Sequence, residues 1–175
     1  PITNDNCGVA TVTNNAPSVF FEGTTTVTWT VTDIHGNSIT CDQDVVVTDN
    51  EDPTITCPAD VALNSDAGLC EATTVSLGTP NANDNCGAAT VTNNAPSTFL
   101  VGTTTVTWTV TDIHGNSMTC DQNVVVTDSE DPTITCPADV AVDNDAGLCE
   151  ATTVSLGTPI TNDNCGVATV TNNAP

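Results

Sequence analysis

The chain repeats itself at a fixed offset. Cys7, Cys86 and Cys165 are evenly spaced: 86 − 7 = 79 and 165 − 86 = 79. The same offset carries Trp29 to Trp108, Cys41 to Cys120, Cys57 to Cys136 and Cys70 to Cys149. Differences at positions that look buried are conservative, as in Ile39 to Met118 and Leu63 to Val142. Such a period is longer than that of the usual solenoid repeat. A unit of about 80 residues with disulfides can fold on its own. The expectation is a tandem array of independent beads.

A boundary is legible in Thr48-Asp49-Asn50-Glu51-Asp52-Pro53, which recurs as Thr127-Asp128-Ser129-Glu130-Asp131-Pro132. Both stretches are polar, acidic and closed by proline, as linkers are. Residues 1–50 then form the C-terminal part of one repeat, 51–129 a complete repeat, and 130–175 the N-terminal part of a third. Neither end carries the atypical capping repeat that closes an array, so the chain reads as an excerpt of something longer.

Charge narrows the partners. The chain has 22 acidic residues, no Lys and no Arg. Nucleic acid binding requires basic groups to neutralise phosphates, and this excludes it as a partner. An anionic membrane surface is disfavoured for the same reason, and no apolar run reaches the ~20 residues of a membrane span. The nine cysteines imply an oxidising compartment, outside the cell. No two stand at the C-x-x-C spacing of a zinc site.

The apolar residues are ordered in strand periodicity. In Thr103–Thr111, Val106, Trp108 and Val110 share one face and threonines fill the other. A second strand spans Ser117–Thr127, with Met118, Cys120, Val124 and Val126 on one face. Asp112-Ile113-His114-Gly115-Asn116 is the hairpin turn between them. Shorter strands fit Thr54–Cys57 continuing through Asp60–Leu63, then Glu71–Leu77, Ala88–Asn93 and Thr98–Val101. No segment has helical periodicity. The pattern predicts an all-β fold of small antiparallel sandwiches, with Trp108 as the largest core side chain. Trp29, Phe20, Phe21 and Phe99 read as buried too.

The motifs Thr56-Cys57-Pro58, Asp84-Asn85-Cys86-Gly87, Phe99-x-Val101-Gly102-Thr103-Thr104-Thr105-Val106, Thr111-Asp112-x-x-Gly115-Asn116 and Thr119-Cys120 occur in that order. Together they resemble the hyalin repeat, or HYR, domain. The resemblance implies an immunoglobulin-like sandwich in extracellular proteins with adhesive roles, and it brings no catalytic residues. Long arrays of this four-cysteine kind resemble those of giant surface and gliding adhesins of Bacteroidetes. The pair Cys70 and Cys86 departs from the simplest family pattern.

An immunoglobulin-like strand order puts Cys57 and Cys120 at one pole, so it implies a Cys57–Cys120 bridge. Cys70 has two candidate partners. Cys86 lies beyond a strand whose seven residues span roughly 20 Å, against the ~7 Å Cα separation a disulfide tolerates. Cys165 occupies the equivalent loop of the next bead, and a Cys70–Cys165 bridge couples beads covalently. By repeat logic Cys7 then pairs with a preceding copy and Cys149 with a following one.

The linkers raise a cation question. Asp49, Glu51, Asp52, Asn83, Asp84 and Asp112 cluster in linker and loops, as do Asp128, Glu130, Asp131 and Asp163 at the following junction. Carboxylates and amide carbonyls are the oxygen ligands calcium takes. The alternative is a solvated acidic linker whose Asp and Asn form turns. His35 and His114 read as turn residues. Nothing resembles a catalytic triad, so the chain reads as no enzyme, with calcium the sole candidate cofactor. The leading reading is a stalk or spacer in an extracellular surface adhesin or filament, with adjacent repeats of the same chain as its partners. The rival is a binding module for polysaccharide or neighbouring chains, which calls for exposed aromatics in a chain with no Tyr.

Overall fold

In a computed structural model the described residues are 2–6, 8–87 and 89–174. They form thirteen β-strands and no helix, an all-β fold. Strands β1 (Val9–Asn14), β2 (Gly23–Asp33) and β3 (Ser38–Val47) make an antiparallel sheet in that order. The middle of the chain supplies β4 (Thr54–Thr56), β5 (Val61–Asn64), β6 (Glu71–Ala72), β7 (Asn81–Asn83), β8 (Thr90–Asn93), β9 (Phe99–Leu100), β10 (Gly102–Thr111) and β11 (Ser117–Thr127). Its main sheet has the order β5-β11-β10-β8, and the pairs β4-β7 and β6-β9 stand apart from it. Then come β12 (Thr133–Thr135) and β13 (Ile160–Asn162), which pair with each other.

The Val/Trp face of β10 is buried, while on its other face Thr103 and Thr105 are exposed and Thr107, Thr109 and Thr111 are half-buried. Val106 and Val110 are fully buried, with Trp108 beside them at 7% exposure. Phe99 and Ala72 join them from β9 and β6, and Val124 and Val126 from β11. On the outer face the threonines are used as well. Thr107 Oγ1 donates to Asp121 at 2.8 Å and Thr105 Oγ1 meets Asn123 at 3.0 Å. In the first copy Thr28 and Thr26 donate to Asp42 and Asp44 at 2.7 Å. With no Lys or Arg to pair with strand carboxylates, hydroxyl donors take that place.

Several expectations need correction. Gln122, not Met118, belongs to the core: Gln122 is 0% exposed while Met118 lies in the open. Gln122 accepts from Trp108 Nε1 at 3.0 Å and donates to the carbonyls of Ala59 and Leu77 at 2.6 and 3.0 Å. Every polar atom of the amide is thereby satisfied, which makes its burial tolerable. Phe21 is 80% exposed. Phe20 and Trp29 are only half-buried.

Pairing is also not wholly antiparallel. Strand β5 runs parallel to β11, with Val61 opposite Val124 and Leu63 opposite Val126. The strand expected over 54–63 is broken at Pro58, which has no N–H for a ladder. The segment expected as a strand over Glu71–Leu77 is a strand only at Glu71–Ala72. Thr73 turns instead to Asp66, donating its N–H and hydroxyl to one carboxylate oxygen at 2.8 and 2.6 Å. Those donors hold the Asp66 carboxyl below its ordinary range. Ala88, the expected start of the next strand, lies outside the described residues.

Candidate functional site

By its internal contacts the chain divides into two compact units. One comprises Pro1–Thr54, Ala82–Val91 and Val110–Met118; the other comprises Ile55–Asn81, Thr92–Thr109 and Thr119–Pro175. Each holds one set of the residues singled out above.

In the first unit the hairpin after β10 builds a rigid corner. Asp112 Oδ1 accepts the N–H groups of His114 and Asn116 at 2.8 and 2.9 Å, and its Oδ2 accepts Asn116 Nδ2 at 2.8 Å. Gly115 takes φ 95°, a conformation L side chains resist. Burial pushes the Asp112 carboxyl up, but the amide of Asn116 and the turn N–H groups outweigh it, and the group sits below its ordinary value. The first copy builds the same turn with Asp33, His35 and Asn37.

This corner brings Asp112 and His114 to Asp49 of the linker. Ligand atoms of the three lie within 4.8 Å of one another. His114 Nε2 is 2.5 Å from Glu22 Oε1, and its Nδ1 is 3.4 Å from Asp49 Oδ2. The Asp49 side chain is 3% exposed, and its Oδ2 is buried without a hydrogen-bond partner. The Cys86 thiol is nearby. Burial raises its pKa, the charges of Asp49, Glu22 and Asp84 push the same way, and so does a side-chain hydrogen bond from the thiol to the Asp49 carboxylate.

The remaining acidic residues of this junction line a separate hollow formed by Glu51, Asp52, Thr54, Asn83, Asp84 and Asn85. Asp84 Oδ2 accepts the Cys86 N–H at 2.9 Å, leaving Oδ1 buried and unpartnered. Glu51 Oε2 accepts Asn85 Nδ2 at 3.2 Å. The hollow therefore offers oxygen donors, the set calcium takes. The candidate ligands inferred from sequence thus divide into two groups, one with a histidine. Glu22 and His114 were missed as partners. The repeat hid them, because Glu22 corresponds to Val101 one copy later (22 + 79 = 101).

In the second unit Cys57 is bonded to Cys120, with Cα atoms 5.9 Å apart. Cys70 is bonded to Cys165, Cα atoms 4.8 Å apart and 95 residues apart in sequence. Cys41, Cys86, Cys136 and Cys149 are free thiols. Cys7 lies outside the described residues. Around the second bridge the carboxylates are engaged by donors. Glu130 Oε2 accepts the N–H of Gly68 at 2.8 Å. Asp128 Oδ1 accepts Glu130 N–H at 3.1 Å and Asn164 Nδ2 at 3.2 Å, while Asp163 Oδ1 accepts Cys165 N–H at 2.8 Å. Asn164 Nδ2 also donates to Leu69 O at 2.8 Å. Asp131 is exposed.

The family profile of the HYR domain matches residues 48–126. The chain carries an HYR domain. It is also 35% identical over 159 residues to hyalin of Lytechinus variegatus, an alignment covering 80% of this chain and 28% of hyalin. The chain thus spans little more than a quarter of that relative's length. HYR domains are extracellular, adhesion-type modules, and the two disulfides agree with an oxidising setting. The HYR match contains Cys57, Cys70, Cys86 and Cys120 but not Cys165, so the Cys70–Cys165 bridge leaves the matched segment.

Proposed function

We propose that this chain is a stretch of a load-bearing extracellular stalk, part of a surface adhesin or filament built from tandem HYR repeats. One observation carries the reading: Cys70 in one repeat is bonded to Cys165 in the next. A ligand-binding module has no need of such a bond, whereas a spacer under tension gains from it, because covalent bonds then share the load with the linker. The match to hyalin supports an adhesive, extracellular setting.

Single-molecule stretching tests the stalk reading. Under oxidising conditions the chain between Cys70 and Cys165, which are 95 residues apart, stays hidden, and reductant releases roughly 320 Å of new contour at ~3.4 Å per residue. Release of that contour without reductant, or saturable binding of purified repeats to cell-surface glycans, overturns the reading in favour of a binding module.

Calcium is the second element of the proposal, held at Glu51, Asp52, Asn83 and Asp84. Unneutralised carboxylates at a junction repel one another, and a bound cation removes that repulsion. Chelation is expected to lower the melting temperature and enlarge the scattering dimensions of the chain. If neither changes, the hollow is a solvated linker.

A further inference from the structure

We propose that Asp49, Asp112 and His114 form a binding site for a divalent transition-metal ion, with Glu22 orienting the imidazole from behind. The inference does not rest on the stalk reading and concerns donors other than those proposed for calcium.

Three observations converge on it. First, Asp49 carries a carboxylate oxygen that is buried and unpartnered on a side chain only 3% exposed. A buried carboxylate needs a counter-charge, and this chain has no Lys or Arg to supply one.

Second, the imidazole is held in the arrangement that metal-ligating histidines adopt. Such a histidine donates its second ring N–H to a carboxylate, which fixes tautomer and orientation. Glu22 Oε1, 2.5 Å from Nε2, is that carboxylate. With the proton on Nε2, the lone pair of Nδ1 faces Asp49 Oδ2 at 3.4 Å, where no hydrogen bond forms. A lone pair opposite a carboxylate oxygen is repulsive unless a cation lies between them. Third, ions that bind N and O at ~2.0–2.1 Å set neighbouring tetrahedral donors about 3.3 Å apart, close to the 3.4 Å between His114 Nδ1 and Asp49 Oδ2, with Asp112 completing a set of donors within 4.8 Å of one another.

The ligand type decides the class of ion. A ring nitrogen with carboxylates suits zinc, cobalt, nickel or manganese, whereas calcium takes oxygen alone. Asp112 is held in place by Asn116 and by its own turn, so the ion would meet a formed corner. The site belongs to the first junction in particular, because Val101 stands in the second copy where Glu22 stands in the first.

The test uses the full chain with Cys7, Cys41, Cys86, Cys136 and Cys149 replaced by serine, so that no free thiol captures the ion. Titration with Co²⁺ should give a saturable visible absorption band that excess Ca²⁺ does not abolish. His114→Gln should remove the band and His35→Gln should leave it. Glu22→Gln should weaken Co²⁺ binding about tenfold or more, the usual cost of losing the carboxylate behind a metal-bound histidine. Independently of any variant, paramagnetic Co²⁺ should broaden the NMR signals of His114 and spare those of His35. A band that survives His114→Gln, displacement by calcium at matching concentration, or equal broadening of both histidines overturns the proposal. So does a His114 that titrates as an imidazolium and ignores the metal, which would make a proton the counter-charge of Asp49.

Discussion

Replacing Cys57 and Cys120 together by alanine is expected to lower the stability of the HYR domain by about 4 kcal/mol, the chain-entropy value for a loop of this length. For a domain of this size that corresponds to a fall in melting temperature of roughly 15–30 °C. The bridge also has a topological role. Val61 lies four residues beyond Cys57 (61 − 57 = 4), and its partner Val124 lies four beyond Cys120 (124 − 120 = 4). Strands β5 and β11 thus leave the disulfide together, equally far along, and this is why they run parallel. Without the bond, four residues of parallel pairing must hold β5 on the sheet edge, and strands that short contribute little by themselves. Thermal unfolding followed by Trp108 fluorescence in a Trp29→Phe background measures the first effect. Amide exchange at Val124–Thr127 measures the second. A loss of only a few degrees, with those amides still protected, would show that side-chain packing and not the bridge keeps β5 in place.

Gln122→Leu is expected to cost about 3–5 kcal/mol, although it replaces a polar residue by an apolar one in the core. Each buried polar group left without a partner costs roughly 1–3 kcal/mol, and the substitution orphans the Trp108 indole N–H and the carbonyls of Ala59 and Leu77. Trp108→Phe leaves only the Gln122 oxygen unpaired and should cost less through hydrogen bonding, with a packing loss added. Gln43→Leu is the internal comparison. Gln43 makes the same bond to Trp29 at 3.0 Å, but in an exposed setting, so its loss should stay within about 0.5 kcal/mol. Denaturant midpoints for Gln122→Leu and Gln43→Leu would separate these effects. Equal small losses would mean that water already reaches the Gln122 amide.

Period-2 alternation over Thr103–Thr111 was enough to place Val106, Trp108 and Val110 on a buried face, because the code for a half-buried strand is local. The turn at Asp112–Asn116 was legible for the same reason: its bonds join residues two and four apart. The threonine faces, the all-β character and the HYR resemblance also follow from residues close together in the chain or from their order. Gln122 escaped because an amide in a strand looks solvent-facing until the carbonyls of Ala59 and Leu77, 63 and 45 residues away, are brought over it. The strand expected after Cys70 failed because Asp66 competes for the N–H of Thr73, and propensity does not register such a bond. The partner of Cys70 stayed open in the sequence because both Cys86 and Cys165 carry the same local motif; only the packing of one repeat's end against the next repeat's loop distinguishes them. Glu22 and His114 lie 92 residues apart (114 − 22 = 92), and their 2.5 Å contact depends on where the linker sets one repeat's turn beside another's. Local pattern therefore determined the strands, while tertiary structure decided the Cys70–Cys165 bridge and the meeting of Asp49, Glu22 and His114, because those contacts are made by side chains that share no local signal.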